Sequence, residues 1–143
     1  MDYTSFRNCI VSPRRIMSVM SFMVKEALAG QEIGYVEWVY LLAIGDRQGC
    51  SIKDICIANS MDKGQATKVI RKLICQGYVE DGSRGKAYVL NLTGKGRLAY
   101  AYCCKIFDDI MGRILQDLTD EQRKQLEDIN NRLNCSLKSL YRY

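Results

Sequence analysis

The sequence predicts a mainly α-helical (α+β) fold, a succession of amphipathic helices interrupted once by a small β-hairpin. Three observations carry that expectation. Residues 61–78, MDKGQATKVIRKLICQGY, place Ala66, Val69, Ile70, Leu73 and Gly77 in one arc when wound at about 100° per residue, the seam of a core-packed helix. Residues 78–92 switch to the alternation of strands around a glycine-rich tip. Both ends of the chain carry apolar stripes at helical spacing.

With 143 residues, 48% apolar and 26% charged, the chain is expected to be one globular domain, 1–143. No run of about 18 apolar residues is free of charge, since Lys25 and Glu26 break Ile16 to Leu28, so no membrane span is expected. The first residues, MDYTSFRN, lack the order of a signal peptide, and seven scattered cysteines do not read as a disulfide framework. A cytoplasmic protein is expected. The absence of histidine excludes a usual zinc finger or a histidine-based hydrolase, and there is no phosphate loop, nucleophile elbow or convincing acid pair. No enzyme, metal or cofactor is predicted.

Tyr3, Phe6 and Ile10 have the spacing of a short first helix. Ser12-Pro13 starts the next, with Ser as N-cap and Pro at the first helical position. Its stripe is Ile16, Val19, Met20, Met23, Val24, Ala27 and Leu28, and Gly30 stops it. A further helix over about 34–44 uses Trp38, Leu41 and Leu42 as core, with Trp38 read as packing, and Gly45 to Gly49 form a turn. Ser51 and Asp54 make a capping box for a helix carrying Ile52, Ile55 and Ala58. After a short turn Asp62 caps the helix of residues 61–78, which completes a helix-turn-helix.

The arc opposite the seam carries Gly64, Lys68, Arg71 and Cys75, flanked by Gln65, Lys72 and Thr67, with Lys63 in the first turn. Amide and guanidinium groups on a convex helix read base edges in a major groove, while Lys and Thr hold phosphates. A solvated face of an ordinary helix is the plainer reading, and charge distribution weighs against it. Residues 61–99 hold eight bases (Lys63, Lys68, Arg71, Lys72, Arg84, Lys86, Lys95, Arg97) against three acids, which accounts for the net charge of +5. A local basic field points to a polyanion.

Tyr78 to Glu80 and Ala87 to Leu92 are the predicted strands, with Tyr88, Leu90 and Leu92 on one face and Asp81 to Lys86 as the tip. A helix-turn-helix followed by a basic hairpin is a winged helix, and Arg84 and Lys86 are its candidates for a narrow minor groove or phosphates. Thr93 then caps a long helix with Tyr100, Cys103, Cys104, Phe107, Ile110, Met111, Ile114 and Leu118 on a stripe. Thr119 and Gln122 box the start of a last helix with Leu126, Ile129, Leu133, Leu137 and Leu140. Such long amphipathic ends on a small reading unit call for a second subunit, and paired recognition helices one DNA turn apart call for a pseudo-palindromic site in double-stranded DNA.

These stretches resemble the MarR (multiple antibiotic resistance regulator) family of winged-helix transcription factors over about residues 34–100. The resemblance rests on Glu37-Trp38-Val39, Ser51-Ile52-Lys53-Asp54-Ile55, Met61 to Ile70, Leu73 to Val79 and Leu92-Thr93-Gly94-Lys95-Gly96, the last matching a leucine-threonine-x-x-glycine signature. It implies a homodimer whose first and last helices (1–33 and 100–143) intertwine around DNA-binding lobes (34–99). It also implies a repressor released by a small, often aromatic effector bound between the two parts. Counting back from Leu92-Thr93, the family's acid-x-arginine positions in the wing fall on Arg84 and Lys86, so the acid that braces the arginine is absent there.

Two other readings stand beside this one. A thiol- or metal-responsive regulator of the same fold would use Cys75, beside Arg71 and Lys72, or Cys9, near where thiol-sensing members of the family resemble this chain. Cys103 and Cys104 lie on an apolar stripe and read as packing, and Cys50 and Cys56 match no metal spacing. The second alternative is a winged helix used purely as a protein-interaction module.

Overall fold

The computed structural model describes residues 13–140, and the expected helix around Tyr3, Phe6 and Ile10, together with Cys9, lies outside them. Six helices and two strands follow in order: α1 Pro13–Ala27, α2 Tyr35–Gly45, α3 Ile52–Asn59, α4 Lys63–Cys75, β1 Val79–Asp81, β2 Leu90–Leu92, α5 Gly94–Ile114 and α6 Asp120–Leu140. The chain divides into two compact units between Phe107 and Asp108.

In the first unit, α2, α3 and α4 bury Leu41, Ile44, Ile55, Ala66, Ile70 and Leu73 completely. Each start is fixed by its own cap. Glu37 accepts from the Gly34 N–H at 3.0 Å ahead of α2. Ser51 and Asp54 box α3 reciprocally, at 2.8 and 3.1 Å. Asp62 accepts from the Gln65 N–H at 2.8 Å ahead of α4. Such caps satisfy amides that a helix start leaves without partners. The turn between α3 and α4 passes through Ser60 at φ 51°, a left-handed position that lets the Met61 N–H return to the Cys56 carbonyl at 3.0 Å.

Helix α4 ends sooner than the sequence suggests. Gly77 lies beyond it at φ 78°, with its N–H on the Ile74 carbonyl (3.0 Å) and the Tyr78 N–H on the Leu73 carbonyl (2.9 Å). This is a Schellman close, in which glycine supplies the left-handed residue. Gly77 is therefore a stop and not part of the seam.

The strands are also shorter than expected, three residues each, antiparallel, with Val79 opposite Leu92 and Asp81 opposite Leu90. Cys50 adds a single bridge to Leu90 on the other edge. Leu90 and Leu92 are buried as the alternation requires, but Ala87 to Val89 leave the ladder and belong to the wing loop, 82–89. Other departures are local: Ala58 faces solvent, Leu42 is only half-buried, and Ile16 and Val19 on α1 are exposed while Met20, Val24 and Leu28 are buried.

Trp38 packs as expected, buried, stacked between Tyr35 (5.9 Å) and Phe107 (6.4 Å), with its indole N–H donating to the Cys103 carbonyl at 3.2 Å. On α5, Cys103 and Ile106 are buried, the latter absent from the expected stripe.

In the second unit, α5 stops at Ile114, so Leu118 lies in the connecting turn. Thr119 and Gln122 form the expected capping box, at 2.9 and 3.2 Å. The Arg123 guanidinium closes the turn on the Leu115 carbonyl at 3.1 Å. No residue of α6 is buried, and Ile129, Leu133 and Leu137 are more than half exposed, at 52%, 55% and 59%.

Candidate nucleic-acid interface

Helix α4 turns its seam inward and leaves Lys63, Gly64, Gln65, Lys68, Arg71, Lys72 and Cys75 exposed, with Thr67 half-buried. The Asp62 cap orients the first turn, so Gly64 and Gln65 stand at the leading end of the convex face. Thr67 spends its hydroxyl hydrogen inside the helix, donating to the Lys63 carbonyl at 2.8 Å, and can offer a neighbour only lone pairs.

The eight bases of residues 61–99 are not equivalent. Lys72 donates to Glu37 at 2.6 Å, Lys95 is held by Glu32 at 3.0 Å, and Arg97 donates to the Leu92 carbonyl at 3.1 Å. Among the described residues the side chains of the other five, Lys63, Lys68, Arg71, Arg84 and Lys86, make neither an ion pair nor a hydrogen bond. Three of those five stand on α4 and two on the wing. Unpaired cations leave an uncompensated positive field for a polyanion.

Burial pushes the Glu37 carboxyl upward, but hydrogen bonds from Lys72, from its own N–H and from Gly34, with the Lys72 charge, hold it below the ordinary range. It stays ionised at neutral pH and ties α2 to α4.

The wing has a brace of its own. Asp81 accepts from the Ser83 and Val89 N–H groups, each at 3.0 Å, and from the Ser83 hydroxyl at 2.8 Å. The Val89 amide first, then the Ser83 amide, lower its pKa against a small burial effect. Asp81 thus clamps both ends of the loop that carries Arg84 and Lys86. An acid does brace this wing, through the backbone and from an earlier position than the resemblance marks. The Asp-x-Ser spacing, a usual Asx-turn signal, could have found it.

The cysteines divide by exposure. Cys75 is exposed at the end of α4, as is Cys135 on α6; Cys50 and Cys103 are buried, and Cys56 and Cys104 partly so. Burial raises the Cys50 and Cys56 thiols and pushes Cys103 up to about 12, where it is inert near neutrality. No metal-ligating cluster occurs among the described residues, and none of their helices is long and apolar enough to cross a membrane.

A winged helix-turn-helix with a basic convex helix and a basic wing is the class that this fold and surface define. More narrowly, the chain has the fold of MarR transcriptional regulators. It superposes on a MarR regulator from Methanosarcina mazei with a TM-score of 0.83 at 18% identity, covering 99% of this chain and 94% of that one. Streptococcus pneumoniae FabT, solved in complex with DNA, gives 0.72 at 19% identity, covering 98% and 100%. The Mycobacterium tuberculosis MarR family protein Rv2887, solved with p-aminosalicylic acid, gives 0.68 at 23% identity, covering 85% and 94%. In sequence the chain is 29% identical over 90 residues to the HTH-type transcriptional regulator BilQ of Clostridium symbiosum, matching 61% of this chain and 62% of that protein. The chain thus matches less than two thirds of that relative's length. No protein-family model matches the chain.

Proposed function

We propose that this protein is a sequence-specific, double-stranded DNA-binding transcriptional regulator and not an enzyme, with residues 34–99 as the reading lobe. The observation that carries the reading is the sorting of the eight bases of residues 61–99: the five without a side-chain hydrogen bond or ion pair among the described residues lie on α4 and the wing tip, while Lys72, Lys95 and Arg97 are engaged within the fold. In this reading Gln65 and Arg71 meet base edges. Lys63 and Lys68 meet phosphates, and Thr67, its hydroxyl hydrogen spent on the Lys63 carbonyl, can only accept from a base-edge donor. Gly64 allows close backbone approach, and Arg84 and Lys86 reach a minor groove or its flanking phosphates. FabT having been solved with DNA supports this use of the fold.

The protein acts as a homodimer on a pseudo-palindromic operator, residues 1–33 and 100–143 supplying the contacts between subunits. Support comes from α6, whose apolar stripe has nothing buried under it. It is a cytoplasmic repressor released by a small aromatic effector; the p-aminosalicylate bound by Rv2887 supports that chemistry. A thiol-responsive alternative rests on the exposure of Cys75.

The test is selection of duplexes from a random pool by the purified protein, with titration of random duplex at low salt. Enrichment of an inverted repeat and salt-sensitive binding are expected. No affinity for either duplex would leave the winged helix as a protein-interaction module.

A further inference from the structure

We infer that Glu32 and Lys95 are positioning residues for α4, clamping its exit onto the first turn of α5, and that discrimination between DNA sequences depends on this clamp. The inference rests on the DNA-binding reading above.

Three consecutive carbonyls leave the recognition helix, those of Gln76, Gly77 and Tyr78. All three are received by two residues at the start of α5. Lys95 Nζ donates to the Gln76 carbonyl at 2.9 Å, the Thr93 hydroxyl to the Gly77 carbonyl at 2.6 Å, and the Thr93 N–H to the Tyr78 carbonyl at 3.1 Å. Lys95 is further fixed by Glu32 at 3.0 Å and by the Tyr78 ring, 4.2 Å from its ammonium. Glu32 in turn accepts from the Tyr78 hydroxyl at 2.6 Å. A residue ahead of α2, the exit of α4 and the entry of α5 therefore meet at one ammonium.

The placement of that ammonium favours α4 over its own helix. A cation in the first turn of α5 faces the positive end of a helix dipole, which is unfavourable, whereas the exit of α4 is the negative end of one. With Glu32, Gln76 and the Tyr78 ring around it, Lys95 serves the fold and not a phosphate. Motion of α5 is passed to α4 through these contacts, because Lys95 and Thr93 at the start of α5 hold the backbone that leaves α4 directly. An exposed ion pair taken alone contributes little, so the effect is carried by the joined contacts of one side chain.

The experiment compares Glu32→Gln, Lys95→Met and Lys95→Arg with wild type and with Lys105→Met as a control. Each is titrated against the duplex that wild type selects from a random pool and against random duplex. Amide exchange is followed over residues 73–78 and 93–96. The clamp predicts that Glu32→Gln and Lys95→Met both lose about twofold to fivefold in preference for the selected duplex. Their salt slopes stay at the wild-type value, their exchange rises over those two stretches, and Lys95→Arg restores most of both.

A phosphate-contacting Lys95 predicts otherwise: Lys95→Met loses affinity for every duplex with a shallower salt slope, and Glu32→Gln, which removes a negative charge, binds more tightly. That outcome overturns the inference, as does unchanged exchange in both variants. If wild type binds no duplex at all, the DNA-binding reading falls, and the exchange measurement still decides the clamp.

Discussion

The Lys72 ammonium lies 2.6 Å from the Glu37 carboxylate, which withdraws one cation from the outer face of α4. Lys72 and its neighbour Arg71 are therefore expected to differ in what they do. Replacing Lys68 or Arg71 with Ala should cost about 1–3 kcal/mol in DNA binding; Lys68→Ala, which removes a phosphate contact from each subunit, should reduce the salt slope of a dimer by roughly 2, and Arg71→Ala should instead relax sequence preference. Lys72→Ala should leave that slope unchanged, and Lys138→Ala should change neither quantity. Filter binding or anisotropy across a salt series measures this; equal losses at Lys68, Arg71 and Lys138 would mean that the face is assigned wrongly.

The same pair makes stability depend on acid. The folded-state pKa of Glu37 is below its ordinary value of 4.5, so its contribution is complete above that value and is lost as pH falls through the folded one. Urea unfolding of wild type should shift to lower midpoints as pH drops below about 4.5. Glu37→Gln should be less stable than wild type at neutral pH and show a shallower acid slope. Parallel slopes for the two proteins would assign the acid sensitivity to other carboxylates.

Gly96 packs so tightly on the Tyr78 carbonyl that a Cβ there would overlap the oxygen, and that contact is with backbone. Gly96→Ala should therefore destabilise by about 1–3 kcal/mol, as overpacking does. At Gly94 a Cβ would meet only the end of Arg97 at ordinary distance, so Gly94→Ala should be close to neutral. Thermal or denaturant unfolding of the two variants separates these expectations.

Ile129, Leu133 and Leu137 share an exposed stripe on α6, a large apolar surface for a helix to leave uncovered. Leu133→Asp should give monomer or aggregate by sedimentation and abolish operator binding. A wild-type protein that sediments as a monomer at micromolar concentration, yet binds a palindrome tightly, would falsify the dimer.

Thiol reactivity should follow burial. In native protein near neutral pH, Cys75 and Cys135 should react with a disulfide reagent within minutes, while Cys103 reacts only on unfolding, with its pKa pushed up to about 12. If Cys75 is a sensor, Cys75→Ser should hold DNA under mild peroxide or copper while wild type lets go. Equal release by both would make Cys75 a bystander and leave Cys9 to test.

Much of the fold was legible in the residues because the signals are local. Asp62, Ser51 and Thr119 cap helices that begin where the sequence places them, since a side-chain acceptor three residues ahead of an amide needs no distant partner. The seam Ala66, Val69, Ile70 and Leu73 was readable for the same reason, its periodicity being that of the helix itself. The exposed cations of α4 came with it, because whatever lies opposite a buried seam faces solvent.

Which cations stay uncompensated was decided by tertiary structure alone. Glu37 lies 35 positions from Lys72 and Glu32 63 from Lys95, and nothing in either neighbourhood announces the pairing. The Ser83 half of the wing brace is a local Asx signal, but its Val89 half depends on where the ladder ends: with Ala87 to Val89 outside it, the Val89 amide is left for the Asp81 carboxylate. Gly96 reads in sequence only as part of a signature. Its necessity appears when the Tyr78 carbonyl, eighteen positions earlier, is brought against its Cα. Sequence determines what each segment can form by itself, and packing between segments decides which polar groups it leaves for a ligand.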